Sequence, residues 1–162
     1  MNPSIATVAA LYKMDNSFFQ NGIGNLDNET AMKKVSDSTN PIMWMAGHLT
    51  SIRYHLLNLL GEKKEFPWPK LFDDGFDTEK DYPEMSKIAD AWHDISDAFQ
   101  EKLAQASESD LTKALDYKLP HGDNTVRGGL IFFAYHEAWH FGQIAYVRKC
   151  FGMEGLVPYE DF

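Results

Sequence analysis

The chain has a single cysteine, Cys150, among its 162 residues. That excludes an internal disulfide framework, and a reducing, cytoplasmic setting is the expectation. Long apolar runs are also missing: no stretch approaches the roughly 20 apolar residues a membrane-spanning helix needs. The apolar start at residues 5–12 has no basic residue ahead of it and is cut off by Lys13 and Asp15, so it does not read as a signal peptide. Positive charge is scarce, with 15 Lys and Arg against 24 Asp and Glu, a net charge of −9. Ten of the acids fall between positions 73 and 101, where there are only two lysines. Nucleic-acid binders draw most of their affinity from neutralising phosphate, so neither nucleic acid nor an anionic membrane is an expected partner. The G-x-S-x-G elbow of serine hydrolases is absent. So is a glycine-rich phosphate loop, because Gly128-Gly129 falls inside a helical pattern and suits close helix packing.

What is present is helical periodicity. With 44% hydrophobic residues and no internal repeat, the chain reads as a single domain over residues 1–162. Four segments place apolar residues three and four apart, predicting helices near residues 4–21, 41–60, 84–106 and 126–151. Asn40-Pro41 reads as a cap with proline at the first helical position, and Thr125 as the cap of the last helix. Strand signals are weak throughout, so the fold class is all-α, a four-helix bundle. Two long connections, residues 62–82 and 107–124, are rich in aromatics and are expected to pack over an end of the bundle.

The chemistry concentrates in His136-Glu137-Ala138-Trp139-His140. Histidines four apart share one helix face and can converge on one ion. At about 100° per residue, His140 falls on the stripe of Phe133, Ile144 and Val147 with His136 at its edge, so both face the core or its margin. Two buried imidazoles both need partners, which favours a metal. His48 is the expected third ligand. It lies nearer than His55 to the apolar stripe of the second helix, and Gly47 beside it permits close approach of a neighbour. His55 is expected at the helix margin, His93 beside the acidic face, and His121 in an exposed turn. Cys150 lies about 15 Å along the helix from His140 at 1.5 Å per residue, too far to ligate, and reads as a packed small residue.

Gly47-His48-Leu49 together with the run from His136 to Ile144 resembles the DinB/YfiT-like superfamily, and helix order, cap and long loops match over essentially the whole chain. The resemblance implies up-down-down-up connections and a divalent metal, nickel or zinc, held by His48, His136 and His140. It also implies a small-molecule substrate. Some members transfer a low-molecular-weight thiol to an electrophile, while others have no known activity. A metal-dependent hydrolase and a non-catalytic, stress-linked metal-binding module are the alternatives. The same His-Glu-x-x-His run is also the zincin pattern. A zincin needs a further ligand downstream, where only Glu154, Glu160 and Asp161 are available. Glu137 is a candidate catalytic residue, able to take a proton from a metal-bound water or thiol. Phe66, Trp68, Phe72 and Phe76 are expected to shelter an apolar electrophile. Finally, Phe132, Tyr135, Trp139 and Tyr146 form a second apolar face on the last helix, which predicts a homodimer unless the loops fold over it.

Overall fold

Six helices carry the chain in a computed structural model that describes residues 1–24 and 26–156. A 3-10 turn at Pro3–Ile5, capped by Asn2, leads into α1 (Ala6–Gly22). The short α2 (Asn28–Ala31) precedes α3 (Ile42–Leu59), and α4 (Met85–Gln105) is followed by the short α5 (Glu108–Leu111) and the long α6 (Val126–Cys150). The four long helices lie within two residues of the four expected ranges. No strand occurs among the described residues, only an isolated bridge between Ala114 and Thr125. Among the described residues no helix is long and apolar enough to cross a membrane.

The starts of the helices differ in how far the sequence foretold them. Thr125 caps α6 as expected, its hydroxyl accepting the Gly128 N–H. At α3 the cap position is Pro41, with no side-chain cap bond. Asn40 is used elsewhere: its Oδ1 accepts the Phe76 N–H at 3.0 Å and ties down the long α3–α4 connection.

The helices close a ring in which α1 and α3 each pack on both α4 and α6. Met85, Ile88, Trp92, Ile95, Phe99 and Leu103 form the buried stripe of α4, the three-and-four spacing seen in the sequence. In α3, twelve of 18 residues are buried, because the α3–α4 connection covers a third side of it. Phe72 in that connection is fully buried, with Phe66, Trp68 and Tyr82 around its ring. It also explains Gly47. A Cβ there would sit 2.1 Å from the Phe72 ring, so the glycine admits an aromatic of the loop rather than a neighbouring helix. Gly128 serves α6 in the same way, since a Cβ on it would meet the Asp123 carbonyl oxygen at 1.9 Å.

Arg53 is fully buried between the two main apolar clusters. Its guanidinium lies 4.7, 4.6 and 5.2 Å from the rings of Tyr12, Trp92 and Phe99, so its flat faces are covered by aromatics.

The aromatic face of α6 is bare. Tyr135, Trp139 and Tyr146 are 67%, 60% and 64% exposed, so the loops do not fold over them. Phe132 does not belong to that face. It is half-buried, against Phe133 and His136.

Candidate metal centre

The ring of helices sets α3 against α6, and this brings His48, His136 and His140 together. Each offers one ring nitrogen within 4.8 Å of the other two. His48 Nδ1–H donates to the Phe72 carbonyl oxygen at 2.9 Å, which leaves the lone pair on Nε2. Trp44, one turn earlier on α3, stacks on the His48 ring with 4.9 Å between centroids and 9° between planes. The ring is thus held from its edge and from its face. His48 Nε2 lies 3.3 Å from His136 Nε2, which lies 3.2 Å from His140 Nε2.

These contacts are short of protons. His136 Nε2 carries either one proton or one lone pair, so it cannot form two normal hydrogen bonds. The Nδ1 atoms of His136 and His140 are buried and make no hydrogen bond. A shared cation would take the lone pairs of the converging Nε2 atoms, with each ring keeping its proton on Nδ1. Zinc–nitrogen bonds of about 2.0–2.1 Å at tetrahedral angles place neighbouring nitrogens about 3.3–3.4 Å apart, close to the 3.2 and 3.3 Å found. The donor set fits a borderline divalent metal such as zinc or nickel better than a hard one.

Electrostatics agree with that fit. Burial, and then the neighbouring histidines, push His136 and His140 down to about 4. Burial lowers His48 as well, against the pull of its bond to Phe72. All three rings are therefore neutral at pH 7, with lone pairs free for a metal.

Glu137 stands differently from its expected role beside the metal. It is fully buried, and Arg53 Nε and Nη2 hold its two oxygens at 2.6 and 2.7 Å. Its carboxylate has Asp15 and Tyr12 of α1 as electrostatic neighbours. Asp15 is buried too, and burial together with the Glu137 charge raises its carboxyl to about 8. Two acids share one arginine, and Asp15 keeps its proton. Glu137 is thereby a strut between α3 and α6, with both of its oxygens engaged by Arg53.

The remaining candidates lie apart. His55 Nε2 pairs with the Tyr117 hydroxyl at 2.8 Å, and His93 is exposed near Asp97. His121 is exposed, with Nε2 3.2 Å from the Gly128 carbonyl oxygen. Cys150 is exposed rather than packed. Phe72 supports His48 and fills the core, so it is a packing group rather than part of a substrate shelter. Glu160 and Asp161 lie outside the described residues. Of the groups that shape the site, the sequence reading missed Arg53, Trp44 and the Phe72 carbonyl. Arg53 alone carried a signal, as the one Arg or Lys within the apolar run of α3.

No curated protein matches the chain by sequence. A solved structure, described as that of a conserved protein from Enterococcus faecalis, superposes with a TM-score of 0.71 at 14% identity, covering 93% of this chain and 97% of that one. This likeness shows the fold. The family profile of the DinB superfamily matches residues 19–144, a span that takes in both α3 and the His136–His140 turn. On that match, and with the histidines at its heart drawn into one cluster, the chain belongs to the DinB superfamily.

Proposed function

We propose that this protein is a metal-dependent enzyme that transfers a low-molecular-weight thiol to a small electrophile. His48, His136 and His140 would hold the divalent metal, nickel or zinc. One observation carries the reading: three neutral imidazoles bring their Nε2 atoms so close that His136 Nε2 cannot make normal hydrogen bonds to both of the others. Three protein ligands leave further coordination positions open, the arrangement of catalytic rather than structural sites. When bound, the metal would lower the pKa of a coordinated thiol and hold it as thiolate.

The chain's own groups have narrower tasks. The Phe72 carbonyl fixes the tautomer of His48, a support that raises ligand basicity. Trp44 keeps that ring from rotating. Phe132 and Phe133 lie beside His136 and keep water from that side of it. Because Glu137 is engaged by Arg53, the thiol proton leaves to water. Thiol and haloaromatic acceptor would give thioether, halide and that proton. Cys150, distant and exposed, takes no part.

Metal analysis and turnover test the reading together. His140→Ala should abolish stoichiometric binding of zinc or nickel, while the helical circular dichroism spectrum is kept. Unchanged metal content in that variant would refute the triad. The loaded protein should consume bacillithiol, mycothiol or glutathione with a haloaromatic acceptor. Ester or amide turnover without thiol would make it a hydrolase, and no turnover of either kind would leave a metal-binding module.

A further inference from the structure

We propose that the electrophile of the transfer is an uncharged aromatic molecule with a hydrogen-bonding group at its far end, and that His55 and Tyr117 hold that group; the inference rests on the thiol-transfer reading and names its acceptor. Behind it lies a strip of half-open residues. Twelve of the 18 residues of α3 are buried. His48, Ser51, Ile52 and His55 are only partly so, and at three- and four-residue spacing they form one line along the helix. The line starts at the histidine cluster and reaches His55 about 10 Å further along the axis, at 1.5 Å per residue.

Aromatic rings of α6 border the strip. The half-buried Phe133 ring lies 6.0 Å from the His136 ring and 5.3 Å from the His55 ring, edge-on to both. Phe132 lies beside it. Between the two polar ends the span offers Ile52, these phenylalanines and one hydroxyl. That hydroxyl is Ser51, which already donates to the His48 carbonyl oxygen. The peptide or sugar tail of a thiol would lay polar groups against this span without partners, which is unfavourable. A flat apolar ring suits it. The strip is therefore the place of the acceptor rather than of the thiol's tail.

The far end is polar and neutral. His55 Nε2 and the Tyr117 hydroxyl share one hydrogen bond of 2.8 Å. A hydroxyl has one donor and two acceptor sites, so two remain for a ligand group. Burial holds His55 below its ordinary range and Tyr117 above its own, and both are uncharged at pH 7. The Asp116 charge acts on both groups, and the whole chain carries −9. A carboxylate on the acceptor would meet negative charge there, whereas an amide, ester or phenol would not.

Nuclear magnetic resonance titration of the metal-free full chain tests the strip by itself, whatever turnover is found. The probe is a chloronitrobenzamide, with chlorine para to the amide and nitro beside the chlorine. It should shift the signals of Ser51, His55 and Phe133. Tyr117→Phe should weaken its binding about 3–10-fold, the effect of one neutral hydrogen bond. Binding of ortho-chloronitrobenzene, the same ring without the amide, should not change. With metal and thiol present, sulfur displaces chloride at the carbon beside the nitro group in both compounds, releasing chloride and the thiol proton. There Tyr117→Phe should raise KM for the benzamide by the same factor and leave kcat and the thiol's KM unmoved. The proposal is overturned if the probe causes no shifts or shifts away from the strip, or if the variant weakens both compounds alike. A variant that raises the thiol's KM instead overturns it as well, because the strip would then hold the thiol.

Discussion

If Glu137 is the counter-ion of a fully buried arginine, its replacement should be felt first in stability. Glu137→Gln keeps the shape and removes the charge. Breaking a buried ion pair by removing one partner costs about 3–5 kcal/mol, because a charge is left uncompensated in low dielectric. Asp15 modifies the outcome. It is protonated beside Arg53 and Glu137, so once the Glu137 charge is gone it can ionise and take over the arginine. The single variant should therefore lose only part of that energy. Asp15→Asn with Glu137→Gln leaves Arg53 no acid at all and should show the whole of it. At about 2–4 °C per kcal/mol for a domain of this size, the double variant should melt about 6–20 °C below wild type. Arg53→Met with Glu137→Leu should recover most of the loss, since well-packed apolar groups replace buried ion pairs with little penalty. Thermal unfolding of metal-free protein at pH 7, followed by circular dichroism, measures all of these. A double variant melting within about 3 °C of wild type would refute the strut.

Gly47→Ala should force the Phe72 ring aside, costing about 1–3 kcal/mol as overpacking. It should also weaken metal binding about 10–100-fold through the lost bond to His48, and an unchanged binding isotherm would contradict the support role of Phe72. Metal-free stability should depend on pH in two senses. His136 and His140 sit at about 4 when folded against 6.5 unfolded, so the unfolded chain binds more protons between those values and stability rises with pH there. Asp15 sits at about 8 against 3.8, so the folded chain holds the extra proton and stability falls as pH rises, and the raised Glu137 acts in the same sense. Above pH 6.5 only the carboxyl effect remains. Denaturant midpoints should decline from there to pH 8, and Asp15→Asn should flatten the decline, whereas midpoints that climb over this window would show that Asp15 is ionised.

The elements that sequence showed plainly are those whose burial is periodic. The stripe of α4 and the Thr125 cap stand in the structure as the spacing implied. The histidine cluster was legible because two of its members share one helix face and the third lies on the apolar side of another helix. What escaped was non-local. The partner of Glu137 lies 84 positions away, and no spacing rule within α6 distinguishes a carboxylate at a metal from one clamped by Arg53. The use of Asn40 to hold Phe76 rather than to cap α3 likewise depends on where the loop returns. The bare face of α6 shows the limit from the other side. Its aromatics were evident, but Phe132 falls outside it because His136 stacks on it and Phe133 meets it edge-on.

The enclosure of α3 has a consequence for how the molecule opens. Helices exposed along one face can separate from a fold at less than the global free energy of unfolding, whereas a helix covered on nearly every side cannot. Hydrogen exchange should therefore be slowest at the amides around Ala46 and Leu49, at rates that match complete unfolding. The amides of α6, which has a bare face, should exchange through smaller openings. His48 rides on the helix that opens last, His136 and His140 on one that opens sooner. Disassembly of the histidine cluster thus begins from the α6 side, with His48 still fixed between Trp44 and Phe72.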